Sequence, residues 1–409
     1  MTVQIRTIEP DELAAYTAAM ALGFLQMPDQ AAIAADVEFR RPRIMLDRTW
    51  AAFDGKHCVG TLRSEPFELT VPFGTTVSAD GVTNVTVAPT HRRRGVLTRM
   101  MADGLRAAAD RGDPVSILIA SEYPIYGRYG YAPATESVTR EIAAPARVLP
   151  PPSGTVELVG VPELRELAPA VYEQFRLACP GALSRGPLRW DADLGLAIRP
   201  SRPAWSGRAL LHRRPDGRLD GYLRYHVDLS WDGRKSNSVL GVDELVAVTP
   251  GAYADLWRYC LEVDLVASVR AADRPADEPL PFLLADGRAV RTLHRADFLW
   301  LRVLDVPAAL AARGYPRPGR LVLQVTDPEG YAAGRFLLDA GPDGVSCRPT
   351  GESADLTLPV TALAAAYLGG FRLRALAAAG QLDEHTPGAL AAADLLFLGD
   401  QTPWCTLWF

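Results

Sequence analysis

The spacing of apolar and polar positions along this chain marks elements before any chemistry is considered. Residues 3–8 alternate as a half-buried strand does, and Pro10-Asp11 then opens a run with helical spacing that reaches Leu22. Strand patterns follow at residues 44–53 and 58–67, separated by the turn pair Asp54-Gly55, and again at 82–87. Residues 96–110 place apolar side chains on one helical face and run toward Gly112. Asp113-Pro114 ends that helix, because proline has no N–H to donate and clashes with the turn before it. Residues 115–120 form a short, wholly apolar run suited to a buried strand. The predicted order is β-α-α-β-β-β-α-β, a mixed α/β unit with a strand–turn–helix junction at its centre.

The stretch 144–152, APARVLPPP, reads as a linker, since proline stiffens extended chain and cannot join a ladder. Beyond it, residues 159–177 are helical in pattern, residues 208–227 read as a hairpin around Asp216-Gly217, and a strand at 243–248 enters Pro250 and a helix reaching about Val263. This last unit repeats the strand, proline, loop and helix of residues 82–101, so the middle region is expected to be a second copy of the first fold. The copy lacks the arginines and the glycine of the original turn. From about Thr292 the pattern changes again, with a helix at 303–313, alternating strands at 319–327, 334–338 and 354–358, and Ala- and Leu-rich helices at 363–367 and 387–397. The expected division is therefore residues 1–150, 151–292 and 293–409, the last a small α+β domain ending in TPWCTLWF.

Bulk properties narrow the function classes. A chain of 409 residues exceeds what one core normally supports, which agrees with several domains. A net charge of −5 argues against binding nucleic acid, which normally leaves a strongly basic domain, and slightly favours cationic substrates. No apolar run approaches bilayer length and no signal-peptide pattern opens the chain, so no membrane association and a cytoplasmic location are expected. The five cysteines are scattered without a Cys-x-x-Cys pair, and the six histidines never stand at ligand spacing, so no metal is expected.

Candidate chemistry sits in residues 85–98. A strand here feeds an Arg- and Gly-bearing turn, Arg92-Arg93-Arg94-Gly95, that opens a helix at Val96, Leu97 and Thr98. A helix N-terminus leaves several N–H groups unpaired and carries the positive end of the macrodipole, which suits a diphosphate. Gly95 would let the backbone approach the phosphates, and the arginines would add charge-assisted hydrogen bonds. Three arginines alone more often mark a solvated face, but the strand before them and the helix after them favour phosphate binding. The turn is neither a Walker motif nor a dinucleotide-binding fingerprint, because no Lys-Ser/Thr follows the glycine and no G-x-G-x-x-G is present. The second candidate is the loop Ser121-Glu122-Tyr123-Pro124-Ile125-Tyr126, continuing to Tyr129 and Tyr131. A tyrosine can protonate a departing thiolate if held beside it, although a single tyrosine usually does no more than pack and hydrogen-bond.

The motifs VTVAPTHRRRGVL, SEYPIYGRYGYAPAT and PWCTLWF resemble the enhanced intracellular survival (Eis) family of the GNAT superfamily of N-acetyltransferases, and the three-region layout extends the resemblance along the whole chain. The resemblance implies two tandem GNAT-fold domains, the second degenerate, followed by a sterol carrier protein-like domain, and a homohexamer. It implies acetyl-CoA as donor and aminoglycosides, polyamines or lysine side chains as acceptors. In that family's fold the strand before the turn bulges and splays from the strand after the helix, leaving a gap for the pantetheine arm. Carried over residue by residue, cofactor contacts fall on Val85, Thr86, Val87, Arg92, Arg93, Arg94, Gly95, Val96, Leu97, Thr98, Ser121 and Glu122. The general acid falls on Tyr126, and the general base on the terminal carboxylate of Phe409. Relatives that acetylate aminoglycosides carry an acid close to the C-terminus, whereas the last five residues here hold none; Asp29, Asp36, Glu38 and Asp400 are the candidate substitutes. Because no Cys or Ser stands beside a base in the cofactor loop, direct transfer without an acyl-enzyme is expected, with one cofactor per chain. The alternative is a non-catalytic protein whose C-terminal domain holds an apolar ligand, with the GNAT domains as scaffold.

Overall fold

A computed structural model describes residues 3–198 and 203–409. The first region runs β1 (Gln4–Thr7), α1 (Leu13–Gly23), α2 (Gln30–Arg40), β2 (Thr49–Asp54), β3 (His57–Val71), β4 (Thr75–Val87), α3 (Val96–Asp110) and β5 (Val115–Ile119). The bounds of α3 match the apolar periodicity. In contrast, β3 and β4 are longer than their alternation suggests and form one hairpin, in register from Gly60↔Val87 to Val71↔Thr75. Phe73 and Gly74 close it with positive φ angles of 71° and 78°.

Two seven-stranded sheets and a five-stranded sheet organise the chain, and the two large sheets exchange strands. In the first, β1 to β5 lie in chain order, and Leu299–Val303 pairs antiparallel with β5. In the second, Glu136–Ala143 lies between Val266–Arg274 and Val290–Asp297, so a segment from before the Pro-rich stretch completes the later sheet. The alternation in LWLRV explains one half of the exchange. Leu299, Leu301 and Val303 are buried against one face and Trp300 against the other, so the strand needs a sheet interior covered on both sides. Arg302 in the same strand is fully buried and is neutralised by Asp327 at 2.7 Å.

The faces of the first sheet have different neighbours. Helix α3 covers one, with Met100, Met101 and Leu105 packed on Leu62, Val82 and Leu118. On the other, α1 and α2 pack Tyr16 and Val37 against Ala51 and Phe53, while the C-terminal region packs against Ile117, Leu299 and Leu301. That region has a five-stranded sheet and the helices Val306–Ala312, Val360–Tyr367, Leu373–Ala378 and Ala389–Leu396. Its apolar side chains, Leu310, Leu323 and Leu363 among them, share one core with the first sheet. Among the described residues no helix is long and apolar enough to cross a membrane, and no group of three or more His, Cys, Asp or Glu could hold a metal ion.

Candidate active site

β4 and β5 are parallel neighbours for only a short distance. They pair from Ala79↔Val115 to Gly81↔Ile117, and β4 then continues to Val87 with no partner on that side. The divergence begins where Asn84 adopts a φ of 55° and the register against β3 slips between Thr61 and Arg63, a bulge that bends the strand. Thr61 on β3 pins the bulge, its hydroxyl donating to the Asn84 carbonyl at 2.7 Å and hydrogen-bonding Thr86 Oγ1 at 2.7 Å. The result is a gap lined by Val85, Thr86 and Val87 on one side and by Ser121 and Glu122, just past β5, on the other.

The gap leads to the turn before α3. His91 holds this turn to the β2–β3 hairpin, with Nε2 3.2 Å from Asp54 and Nδ1 2.8 Å from Thr90 Oγ1. Arg93 and Gly95 take positive φ angles of 63° and 72°, and α3 begins at Val96 without any side-chain cap. The first amides of α3 therefore lack the partner a capping side chain would supply. No atom lies within 4 Å of where a Cβ on Gly95 would stand, so the space at this helix end is open. Arg92, Arg93 and Arg94 are exposed. Arg92 and Arg93 line the cleft, with Arg92 Nε 3.4 Å from the Val87 carbonyl, whereas Arg94 falls outside the lining.

Gap and turn belong to one cleft of roughly 1580 Å³, larger than the ~300–1,000 Å³ of an ordinary ligand pocket and so able to hold a large cofactor beside a second molecule. The four tyrosines of the aromatic loop part company here. Tyr131 is buried with its hydroxyl 2.6 Å from Ser116 Oγ, and Tyr129 hydrogen-bonds Thr98 at 3.2 Å. Tyr123 lies outside the lining, with its ring edge-on to Trp300. Tyr126 lines the cleft, is only 8% exposed, and its hydroxyl makes no hydrogen bond among the described residues. Burial, with Tyr129 and Glu122 nearby, pushes that hydroxyl up to about 12.

The C-terminal tail docks rather than frays. The Trp404 amide donates to the Pro180 carbonyl at 2.8 Å, and its indole donates to the Asp273 carbonyl at 2.7 Å. Thr406 Oγ1 lies 2.8 Å from the Tyr172 hydroxyl, and Arg189 donates to the Trp408 carbonyl. The Phe409 ring packs 4.8 Å from Phe67, and Gly81 makes room for both, since a Cβ there would meet Phe67 at 2.5 Å and Phe409 at 3.1 Å. The tail thus delivers Phe409 to the wall of the same cleft that holds Tyr126.

Comparison with known proteins agrees with this geometry. Residues 4–134 and 181–304 each match the acetyltransferase (GNAT) domain family, and residues 306–406 match the sterol carrier protein domain family. An uncharacterized N-acetyltransferase of Streptomyces griseus is 41% identical, with 99% of each chain covered. The N-acetyltransferase Eis of Mycobacterium tuberculosis is 39% identical over 85% of this chain and 84% of its own. The crystal structure of Eis1 from Mycobacterium abscessus superposes with a TM-score of 0.86 at 33% identity, covering 99% of this chain and 100% of that one.

The chain belongs to the Eis family of GNAT N-acetyltransferases. In this Eis-family enzyme the second GNAT domain repeats the splay. Ser238–Ala247 pairs with Val266–Arg274 from Ser238↔Val266 to Val242↔Ala271 and then diverges from it, keeping only its pairing with Leu219–Asp228. There, however, the gap is filled from within. Arg274 donates to the Leu245 carbonyl at 3.1 Å, is paired with Glu278, and lies 4.9 Å from the Trp404 ring. The helix that follows, Pro250–Glu262, is capped by Thr249, whose side chain accepts from the Ala252 amide.

The acids suggested as acceptor contacts are occupied elsewhere. Asp29 caps α2, Asp36 pairs with Arg40, Glu38 pairs with Arg41, and Asp400 accepts from the Phe73 amide, and none lines the cleft. Glu65, Glu173 and Asp193 line it instead, together with Arg43, Arg63 and Trp205, which no sequence motif singled out. Asn84 was equally invisible, although a left-handed asparagine is the residue a bulge tolerates.

Proposed function

We propose that this Eis-family enzyme transfers the acetyl group of acetyl-CoA directly to a primary amine, the class that includes aminoglycosides, polyamines and lysine side chains. The observation that carries the reading is the gap between β4 and β5, which opens onto an uncapped helix N-terminus flanked by arginines that have no carboxylate partner among the described residues. These residues fit the coenzyme: the amides of Val96, Leu97 and Thr98 with Arg92 and Arg93 take the diphosphate, and Arg94 adds long-range positive charge. Val85, Thr86 and Val87 offer backbone groups to the pantetheine amides, and Ser121 and Glu122 flank it from the opposite side. Bound there, acetyl-CoA supplies an activated acyl thioester.

Tyr126 is protonated at neutral pH, as any tyrosine is, and burial raises its hydroxyl further; it hands that proton to the leaving sulfur. The Phe409 carboxylate accepts the proton lost by the attacking ammonium, directly or through a water. Removing that proton frees the nitrogen lone pair, and as the new C–N bond forms and the C–S bond breaks the nitrogen gives up a second proton through solvent, which restores the one Tyr126 gave to sulfur, so one proton is released overall. Direct transfer is supported because no cysteine among the described residues lines the cleft, while burial pushes the Cys405 thiol up to about 12. The filled gap in the second domain supports one coenzyme per chain. Assembly as a homohexamer completes the reading, for which light scattering should return six chains and a monomer would contradict it. A thiol-release assay with acetyl-CoA and a panel of primary amines tests the activity. Acceptor-dependent release is expected, and coenzyme binding without release to any amine would overturn the proposal.

A further inference from the structure

The acceptor half of the cleft has an unexpected charge. Among the described residues, its guanidinium groups are Arg40, Arg43, Arg63, Arg185 and Arg189, set against the side-chain carboxylates Glu65, Glu173 and Asp193. Those carboxylates are already committed: Glu65 pairs with Arg63, Glu173 with Arg176, and Asp193 with both Arg185 and Arg189. Most of the arginines are answered as well, Arg40 by Asp36, Arg63 by Glu65, Arg185 by Asp193 and Glu244, and Arg189 by Asp193, so the charge left over on this side of the cleft is that of Arg43.

Two of these arginines are left incompletely matched. Arg43 has no carboxylate partner among the described residues. Its guanidinium lies 4.0 Å from the Phe39 ring centroid, one nitrogen donates to the Phe39 carbonyl at 2.5 Å, and its Nε is buried without a hydrogen bond. Arg63 Nε is likewise buried and unpartnered. Buried donors are normally satisfied, so the two unpartnered Nε–H groups mark cleft-lining guanidinium groups whose hydrogen bonding is incomplete. Arg63 sits opposite Thr83 in the β3–β4 ladder, one residue before the Asn84 bulge, which puts this wall beside the strand gap. A rigid guanidinium fork matches a carboxylate better than a point charge does, and the aromatic face holds Arg43 ready for one. Around them Met20, Phe24, Phe39 and Phe67 line an apolar surface.

We infer that the acceptor this site selects is a primary amine on an apolar or aromatic body that also carries a carboxylate, with Arg43 and Arg63 binding that carboxylate and setting specificity. The inference rests on the acetyltransferase reading and narrows it from all primary amines to amphipathic, anion-bearing ones.

Three acceptors test it with the full-length protein and acetyl-CoA: 4-(aminomethyl)benzoate, benzylamine and spermine. The expected kcat/KM order is aminomethylbenzoate, then benzylamine, then spermine, with the carboxylate worth roughly tenfold or more, as charge-assisted hydrogen bonds are. In Arg43→Met the ratio of aminomethylbenzoate to benzylamine falls toward one, and Arg43→Lys restores it in part. Because the ratio is read within each protein, it is insensitive to a loss of folded enzyme. Spermine preferred over both aryl amines, or a ratio near one in the unaltered enzyme, would overturn the inference while leaving the transferase activity standing. If none of the three releases thiol, calorimetric titration of aminomethylbenzoate and benzylamine into the CoA complex decides. Tighter binding of the carboxylate then upholds the specificity and sinks the catalytic reading, and equal binding sinks both.

Discussion

Replacing Tyr126 by phenylalanine separates catalysis from folding unusually cleanly. The hydroxyl makes no hydrogen bond among the described residues, while the ring packs in the α3 core and meets Tyr131 at 6.2 Å. Removing the oxygen therefore breaks no internal contact, and the change in stability should stay within about 0.5 kcal/mol. If Tyr126 is the proton donor to sulfur, kcat should fall by about 10²–10⁴, the usual range for general acid–base groups. That loss corresponds to about 3–5 kcal/mol of transition-state stabilisation. Thiol release gives kcat, and thermal unfolding monitored in parallel gives the stability. The control is Tyr131→Phe, which removes the 2.6 Å hydrogen bond to the buried Ser116 hydroxyl, still held by the Asp80 carbonyl at 2.9 Å, and should cost about 1 kcal/mol of stability while sparing kcat. The pH profile adds a sign. Burial raises the Tyr126 hydroxyl to about 12, so its proton-donating form is present below that value and lost only above it. Tyr126 should therefore contribute no alkaline decline of kcat below about pH 10, where an unperturbed tyrosine would already be half ionised. A Tyr126→Phe enzyme that keeps kcat within about threefold would refute the assignment, since a general acid is worth far more.

Further expectations concern the cofactor end and the tail. Gly95→Ala adds a Cβ where φ is +72° and the helix amides lie open, so KM for acetyl-CoA should rise about tenfold, with about 1 kcal/mol of backbone strain visible in unfolding. An unchanged KM would mean the phosphates do not approach this turn. Appending several residues after Phe409 moves the terminal carboxylate away from the docked ring. The expectation is a fall in kcat of about 10² or more, the contribution of a general base, and unchanged turnover at saturating amine would remove the carboxylate from the mechanism. Calorimetric titration with CoA should give one site per chain, because Arg274 spans the second gap to the Leu245 carbonyl; two equivalent sites would contradict that.

How much of this was legible in the sequence differs by element. Helix α3 and the turn before it were readable because their signals are local: apolar spacing, a glycine that takes positive φ, and a proline after the helix. The exchange of Glu136–Ala143 and Leu299–Val303 between the large sheets was not, since a strand's own alternation does not name its partner. The same limit hid the lower halves of β3 and β4, which Pro72-Phe73-Gly74 joins into one long hairpin. At the site, Tyr126 and Phe409 came from motif resemblance, and the structure adds a physical reason to single out Tyr126: it alone among its loop's tyrosines lines the cleft without a hydrogen bond. The acceptor wall was the least legible part. Asp36 and Arg43 look equally available in sequence, yet one is locked to Arg40 while the other has no carboxylate partner among the described residues, and only packing distinguishes them.

A crystal structure of the enzyme with CoA tests the central claim most directly. The account predicts the diphosphate against the amides of Val96, Leu97 and Thr98 and the pantetheine between β4 and β5. Density for the coenzyme in the second domain, or a helix end still empty at saturating CoA, would contradict it.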